Sequence, residues 1–242
     1  MAVDVGRRPL VAVPSVPVFR RLYGLGSVFG KTIRDSRLGF VVTAALLGGI
    51  ILAGGATMVT TYGTLETRRE LADLSSTLPP VLRGLYGNPI AVDTLGGFIS
   101  WHYGAYFALL AGLWSILALS STLAGEARRG SLDLALVTPL SRRAVALEKL
   151  AGHLLALAAA MAVVALATWL TGAVFARMPG DDVSPAAAVA FAAGLGAKAL
   201  VAGSIAFALA PLLGRGIAAG LAGAAMMAGY VLTSYRSVVP AF

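Results

Sequence analysis

Five long stretches of this 242-residue chain carry no Asp, Glu or Arg, and they limit its fold more than any other feature. They cover residues 38–65, 94–125, 150–176, 183–214 and 216–235, and a single Lys198 interrupts the fourth. A helix rises about 1.5 Å per residue, so about 20 apolar residues cross the hydrocarbon core of a bilayer. Each stretch is long enough. Backbone polar groups in lipid must bond within the structure itself, which makes a helix the default for such runs. Strands of a membrane β-barrel alternate apolar and polar residues over about ten positions. These runs do not alternate.

Composition agrees. Hydrophobic residues make up 58% of the chain and charged residues 12%, with a mean hydropathy of +0.83. A soluble domain carries about 45–50% apolar and about 25% charged residues. The expected fold class is therefore all-α: a polytopic α-helical membrane protein with about five transmembrane helices in one bundle, preceded by an N-terminal interfacial helix. Residues 1–37 read as a cytoplasmic tail with an interfacial elbow helix. Residues 38–242 read as the transmembrane domain, with spans near 39–62, 99–124, 150–176, 185–213 and 216–235. Cysteine is absent, which excludes disulfides, thiolate catalysis and cysteine metal sites. The two histidines, His102 and His153, are too few and too scattered for a histidine metal site, so no metal ligands are expected.

The net charge of +8 would suggest nucleic acid in a soluble protein. Here the basic residues flank apolar spans, so no nucleic-acid partner is expected. With the N-terminus inside, thirteen Lys and Arg fall on the cytoplasmic side: Arg7, Arg8, Arg20, Arg21, Lys31, Arg34 and Arg37 before the first span, then Arg128, Arg129, Arg142, Arg143, Lys149 and Arg215. Five fall outside: Arg68, Arg69, Arg83, Arg177 and Arg236. The positive-inside rule then gives a cytoplasmic N-terminus, and a multi-pass protein of the plasma (inner) membrane is expected. The stretch near 10–18 carries two prolines and precedes the first long span by too much for a signal peptide.

Between residues 19 and 37, Phe19, Leu22, Tyr23, Phe29 and Ile33 recur at roughly helical spacing, with Arg20, Arg21, Lys31 and Arg34 largely between them. This pattern fits a helix lying on anionic headgroups; the bland alternative is a solvated basic tail. The outer segment 63–98 is long for a connection. A helix is expected over 67–74, with Pro79 and Pro80 breaking or restarting it. The short segment 177–184 makes spans three and four an antiparallel hairpin, and Gly214-Arg215-Gly216 is a tight turn before span five. The segment 24–32, GLGSVFGKT, ends like a phosphate-binding loop. The first glycine of that motif must stand five positions before Gly30, where this chain has Leu25, and no strand precedes it.

The segment 125–149, GEARRGSLDLALVTPLSRRAVALEK, lies between spans two and three. Leu132, Leu134, Leu136 and Pro139 form an apolar stretch ending at a proline, and Ser141 fits the N-cap of the next helix. Apolar residues at that place need either a partner surface or the lipid interface. The order Glu126-x-x-x-Gly130-Ser131-Leu132-Asp133-Leu134, then Thr138-Pro139-Leu140-Ser141-Arg142 and Lys149, resembles the first cytoplasmic loop of ABC-2 type exporter permeases. Ser131 stands where that family usually has threonine. Arg34-Asp35-Ser36-Arg37 is similar to the family's approach to its first helix. Leu213-Gly214-Arg215-Gly216 is similar to its fourth-to-fifth turn.

The resemblance implies a permease subunit whose loop docks on a separate dimer of ATP-binding subunits. Glu126, Arg129, Gly130, Leu132, Asp133, Pro139 and Arg142 would couple to that ATPase. It further implies that ATP and magnesium are bound by the partner and that no cofactor and no catalytic residue belong to this chain. The cargo would be a hydrophobic or amphiphilic compound such as a drug, lipid or peptide. The family's half-unit has six helices against five here, so a second permease half or further helices of a longer chain are expected, with lipid around them.

Lys198 stands about 20 Å along span four by helical rise. A cation at that depth is costly and often functional. It is expected to pair with a helix-end carbonyl or a carboxylate, to face a substrate pathway, or to snorkel. Arg68, on the outer loop, is expected to tolerate neutralisation better. Trp101, His102, Tyr103 and Tyr106 fit an aromatic belt at the membrane boundary, with His102 and Tyr106 as alternative substrate contacts. His153 reads as structural. Gly216 and Gly220 permit close helix packing. A gradient-driven secondary transporter would show inverted repeats and broken charged helices, and an intramembrane enzyme would show convergent polar residues. Neither pattern is evident.

Overall fold

The structure is a computed structural model that describes residues 27–122 and 141–236. Among these residues six helices follow one another: α1 Val28–Thr61, α2 Leu65–Ser76, α3 Pro80–Tyr86, α4 Leu95–Thr122, α5 Arg142–Phe175 and α6 Pro185–Arg236. Four of them, α1, α4, α5 and α6, are long and apolar enough to cross a membrane.

The helix starts are set by local chemistry. Hydroxyls of Ser27, Thr64, Thr94, Ser141 and Ser184 accept hydrogen bonds from the backbone N–H groups of Gly30, Thr67, Gly97, Ala144 and Ala187 at 3.0–3.2 Å. Each satisfies a donor that the first helical turn leaves orphaned. The expected cap at Ser141 and the expected helix over 67–74 are both present. Pro79 and Pro80 separate α2 from α3, with Pro80 opening α3, where its missing N–H costs nothing.

Residues 28–37 do not form an interfacial helix of their own. They run unbroken into the first apolar stretch as part of the 34-residue α1. No proline interrupts the segment, and Lys31 pairs with Asp35 one turn on at 3.1 Å. Residues 19–26, which carry the rest of that pattern, lie outside the described residues.

The 52-residue α6 is broken at Gly214, whose φ of 79° and ψ of 163° fall in a region that glycine alone adopts readily. Pro211 weakens the helix three residues earlier by removing a backbone donor. The two halves fold back on each other. Ala206 before the break and Ala222 after it share one apolar cluster with Ile116 of α4, whereas in a straight helix they would stand about 24 Å apart. The expected turn at 214–216 is thus a hairpin within α6.

In the bundle α1 lies along α5, α4 lies along both halves of α6, and α5 also meets α6. Large apolar side chains such as Leu113, Leu117, Leu155, Leu166 and Ile217 point outward, and Leu212 is 80% exposed. Leu47, Ile51, Phe107, Leu119 and Val164 point inward with many alanines and the polar Thr43, Ser115, Ser120, His153, Thr168 and Thr171. Bulky apolar side chains on the outer surface and hydroxyl groups between helices fit a bundle packed in lipid, where polar groups bond between helices.

Candidate functional site

Three polar knots tie the helices together, and a cavity lies apart from them between α4 and α6. The first is at the end where α1 finishes and α4 begins. Arg68 of α2 grips Asp181 of the α5–α6 connection through two parallel bonds of 2.5 and 2.9 Å. Arg68 also donates through Nε to the Tyr62 carbonyl and through Nη1 to the Asp93 carbonyl. Asp181 accepts from the backbone N–H groups of Leu95, Arg177 and Met178, each at 3.1 Å. Burial pushes the Asp181 carboxyl up, but the Arg68 guanidinium and the two neighbouring N–H groups outweigh this and hold it below its ordinary value. The carboxylate also sits at the N-terminus of α4, where the helix dipole favours an anion. Arg68, which the sequence places in a loop segment, is 2% exposed and ties three connections together.

The second knot lies at the opposite end, on either side of the segment that resembles a coupling loop. Lys149 of α5 is buried and donates to the Thr122 carbonyl at the last turn of α4 at 3.1 Å. This satisfies an orphan carbonyl and places a cation at a helix C-terminus. Next to it, Glu148 accepts from the Phe29 N–H in the first turn of α1 at 3.1 Å. Gly152 lets α1 and α5 close together here, since a Cβ at that position would stand 2.9 Å from Thr32. Glu126, Arg129, Gly130, Leu132, Asp133 and Pro139 lie outside the described residues. Arg142 opens α5 and is exposed.

The third knot is inside. Ser115 of α4 and the Nε2 of His153 of α5 are 2.9 Å apart and fully buried. The Trp114 ring meets the imidazole edge-on at 5.4 Å, and Nδ1 of His153 has no hydrogen-bond partner among the described residues.

The cavity itself has a volume of about 800 Å³ and lies between α4, both halves of α6 and the end of α3. Gly104, Ala105 and Ala108 of α4 face Gly194 and Ala197 of the first half of α6 and Gly229 of the second. Small residues on all three walls leave this space: a Cβ added at Gly194 or at Gly229 would meet nothing within 4 Å. Tyr86, Asn88 and Ser100 border one end, and Lys198 stands on the wall. The Tyr230 hydroxyl, from the second half of α6, bonds to the Leu85 carbonyl of α3 and closes that side.

Of the sequence-derived candidates, the structure puts Lys198 on the cavity wall and leaves His102 and Tyr106 behind it. His102 stacks on Phe98 at 5.2 Å and meets Tyr103 at 4.9 Å. Tyr106 meets the edge of Tyr86 at 5.9 Å, and it is Tyr86 that borders the cavity. Among the described residues, no helix packs within 4 Å of where a Cβ would stand at Gly216 or Gly220. Among the described residues no group of His, Asp and Glu is placed to hold a metal ion.

Sequence reasoning missed Asp181 and the Ser115–His153 pair. Asp181, beside Asp182 in a short connection after Pro179-Gly180, carries no periodic signal, and a serine in an apolar helix is ordinary.

The architecture defines an all-helical protein of membrane type, with a largely apolar cavity between α4 and the two halves of α6 that opens to the outside of the bundle along Gly194, Lys198 and Val201. No family model matches the chain, and no curated protein or solved structure matches it either.

Proposed function

We propose that this chain is a transmembrane permease subunit of an ATP-driven exporter of the ABC-2 type, which moves a hydrophobic or amphiphilic compound through a pathway that includes the α4–α6 cavity. The observation that carries this reading is the knot at Lys149. The residues bracketing the loop that resembles a coupling segment, Thr122 and Ser141, belong to helices tied together by a buried lysine–carbonyl bond. Glu148 ties the start of α1 to the same place. A push on such a junction moves three long helices as a body, and packed helices respond to it by shifting between discrete arrangements. The order of residues from Glu126 to Arg142, given above, supplies the resemblance.

In this reading the N-terminus and the segment 123–140 face the cytoplasm, and the Arg68–Asp181 knot faces outward. The two halves of α6 count as separate spans, giving five. A dimer of ATP-binding subunits docks on the loop and holds the nucleotide and magnesium. A second permease half or further helices complete the pathway.

The test is to purify the chain from its native membrane in mild detergent and identify the proteins that accompany it. A stoichiometric ATP-binding subunit whose ATPase rate changes when the permease is added is the expected result. Transport by the reconstituted chain that follows an ion gradient and needs no ATPase would overturn it in favour of a secondary transporter.

A further inference from the structure

Lys198 is the one charged side chain on the cavity wall, which holds no carboxylate among the described residues. The ion pairs among the described residues involve Lys31, Arg34 and Arg68, and none reaches Lys198. The other polar wall groups are largely occupied by their own helices: Ser100 donates to the Gly97 carbonyl and Thr233 to the Gly229 carbonyl. Lys198 lies about 20 Å along α6 from Pro185 and about 24 Å before the break at Gly214. It is thus central in a helix long enough to cross a bilayer. An ammonium at that depth is costly unless an anion or water accompanies it.

The rest of the wall sets the shape of what can accompany it. From Ala190 to Ile205 the cavity follows α6 for roughly 22 Å. Its apolar lining is mostly alanine and glycine, with Leu109, Leu195, Val201, Ile205, the Phe191 ring and Met226. Such a slot fits a hydrocarbon chain, and a volume of about 800 Å³ lies within the range of small-molecule sites. We infer that the cavity binds an anionic amphiphile, with a carboxylate or phosphate head on the Lys198 ammonium and its chain along the alanine- and glycine-lined walls of α4 and α6. This names the cargo class for the cavity proposed above as a pathway. It rests on that reading for its meaning in transport, while the binding itself belongs to this chain alone.

The experiment uses the full chain in phosphatidylcholine nanodiscs and measures equilibrium binding of radiolabelled palmitate, its methyl ester and hexadecylamine. Palmitate is expected to bind saturably and about tenfold or more tighter than the ester or the amine, the scale of one charge-assisted bond. Lys198→Met lowers palmitate binding to the level of the ester, and Lys198→Arg keeps it. Gly194→Met, which fills open space and improves helix propensity, abolishes binding of both chains while the thermal transition is retained. Dodecyl phosphate competes with palmitate, and inorganic phosphate at the same concentration does not. Equal binding of acid and amine, or palmitate binding unchanged in Lys198→Met, overturns the inference. Equal competition by inorganic phosphate also overturns it, because the site would then hold a free anion. The exporter reading is judged separately by the ATPase that accompanies the chain, so either can fail while the other stands.

Discussion

Arg68 and Asp181 stand 113 residues apart in sequence and meet in a two-pronged ion pair closed to solvent, with side chains 2% and 0% exposed. Every strong bond that Asp181 makes besides this pair goes to backbone N–H groups at loop ends. The pair therefore fixes where α1 ends, where α4 begins and how α5 turns into α6. Breaking a buried pair on one side costs about 3–5 kcal/mol, because the other charge stays buried without a partner. Arg68→Met and Asp181→Asn should each lower the melting temperature in detergent sharply. The double variant Arg68→Met with Asp181→Leu should recover part of the loss. A double variant as unstable as the sum of the two would show that the residues act independently.

The same pair predicts the response to acid. The Asp181 carboxyl is held below its ordinary value, which is about 3.9. Its contribution to stability is complete above that ordinary value and is lost as pH falls through the lower, folded one. Melting temperatures followed from about pH 7 to about pH 3 should drop at the acid end in the wild type and change less in Asp181→Asn. Parallel curves for the two proteins would remove Asp181 as the source.

Inside the bundle, Ser115→Ala should leave both nitrogens of His153 without a hydrogen bond, at about 1–3 kcal/mol for the newly stranded group. Combining it with His153→Phe should restore stability toward wild type, since an apolar pair of similar size removes the unmet bonds. The check is a double-mutant cycle on thermal unfolding. An interaction energy near zero would mean that the 2.9 Å contact contributes nothing.

The chain has no cysteine, so single introduced cysteines report membrane sidedness directly. Under the proposed topology, Arg143→Cys and Arg215→Cys label only from the cytoplasmic side. Asp182→Cys and Thr64→Cys label only from outside. Tyr235→Cys decides the hairpin: labelling from outside matches two passes by α6, and labelling from the cytoplasmic side rejects the fifth span.

For coupling, Glu126→Ala and Leu132→Asp should leave the protein in the membrane and abolish the stimulation of the accompanying ATPase. Wild-type stimulation in both would remove the loop from the coupling role. Lys149→Met should also weaken stimulation, through loss of the bond to the Thr122 carbonyl, and it should lower the melting temperature as the loop variants do not.

Much of the fold was legible because its determinants are local. Uncharged runs of membrane-spanning length announce the long helices, whose backbones must satisfy themselves within the segment. Ser141 marks the start of α5, Pro80 the start of α3 and Gly214 the break in α6, because each depends on the conformation of a few neighbouring residues. Pattern alone failed where a helix had no reason to stop. The basic, aromatic spacing over 19–37 suggested a separate surface helix, and its described part, 28–37, without a breaking residue continues into α1.

The sequence by itself determined the helical class, most helix boundaries and the presence of a costly cation at Lys198. Only the tertiary structure decided which groups meet. Arg68 looked like a surface charge until Asp181 arrived beside it from the far side of two long helices, and Lys149 became a helix cap because α4 ends where α5 begins. The cavity likewise belongs to no single segment: it is the space left when glycines and alanines of α4 face those of a helix folded back at Gly214. Helix caps and spans follow from short-range bonding that any one segment carries with it. Pairings and cavities depend on how separate helices are brought side by side, and no run of consecutive residues encodes that.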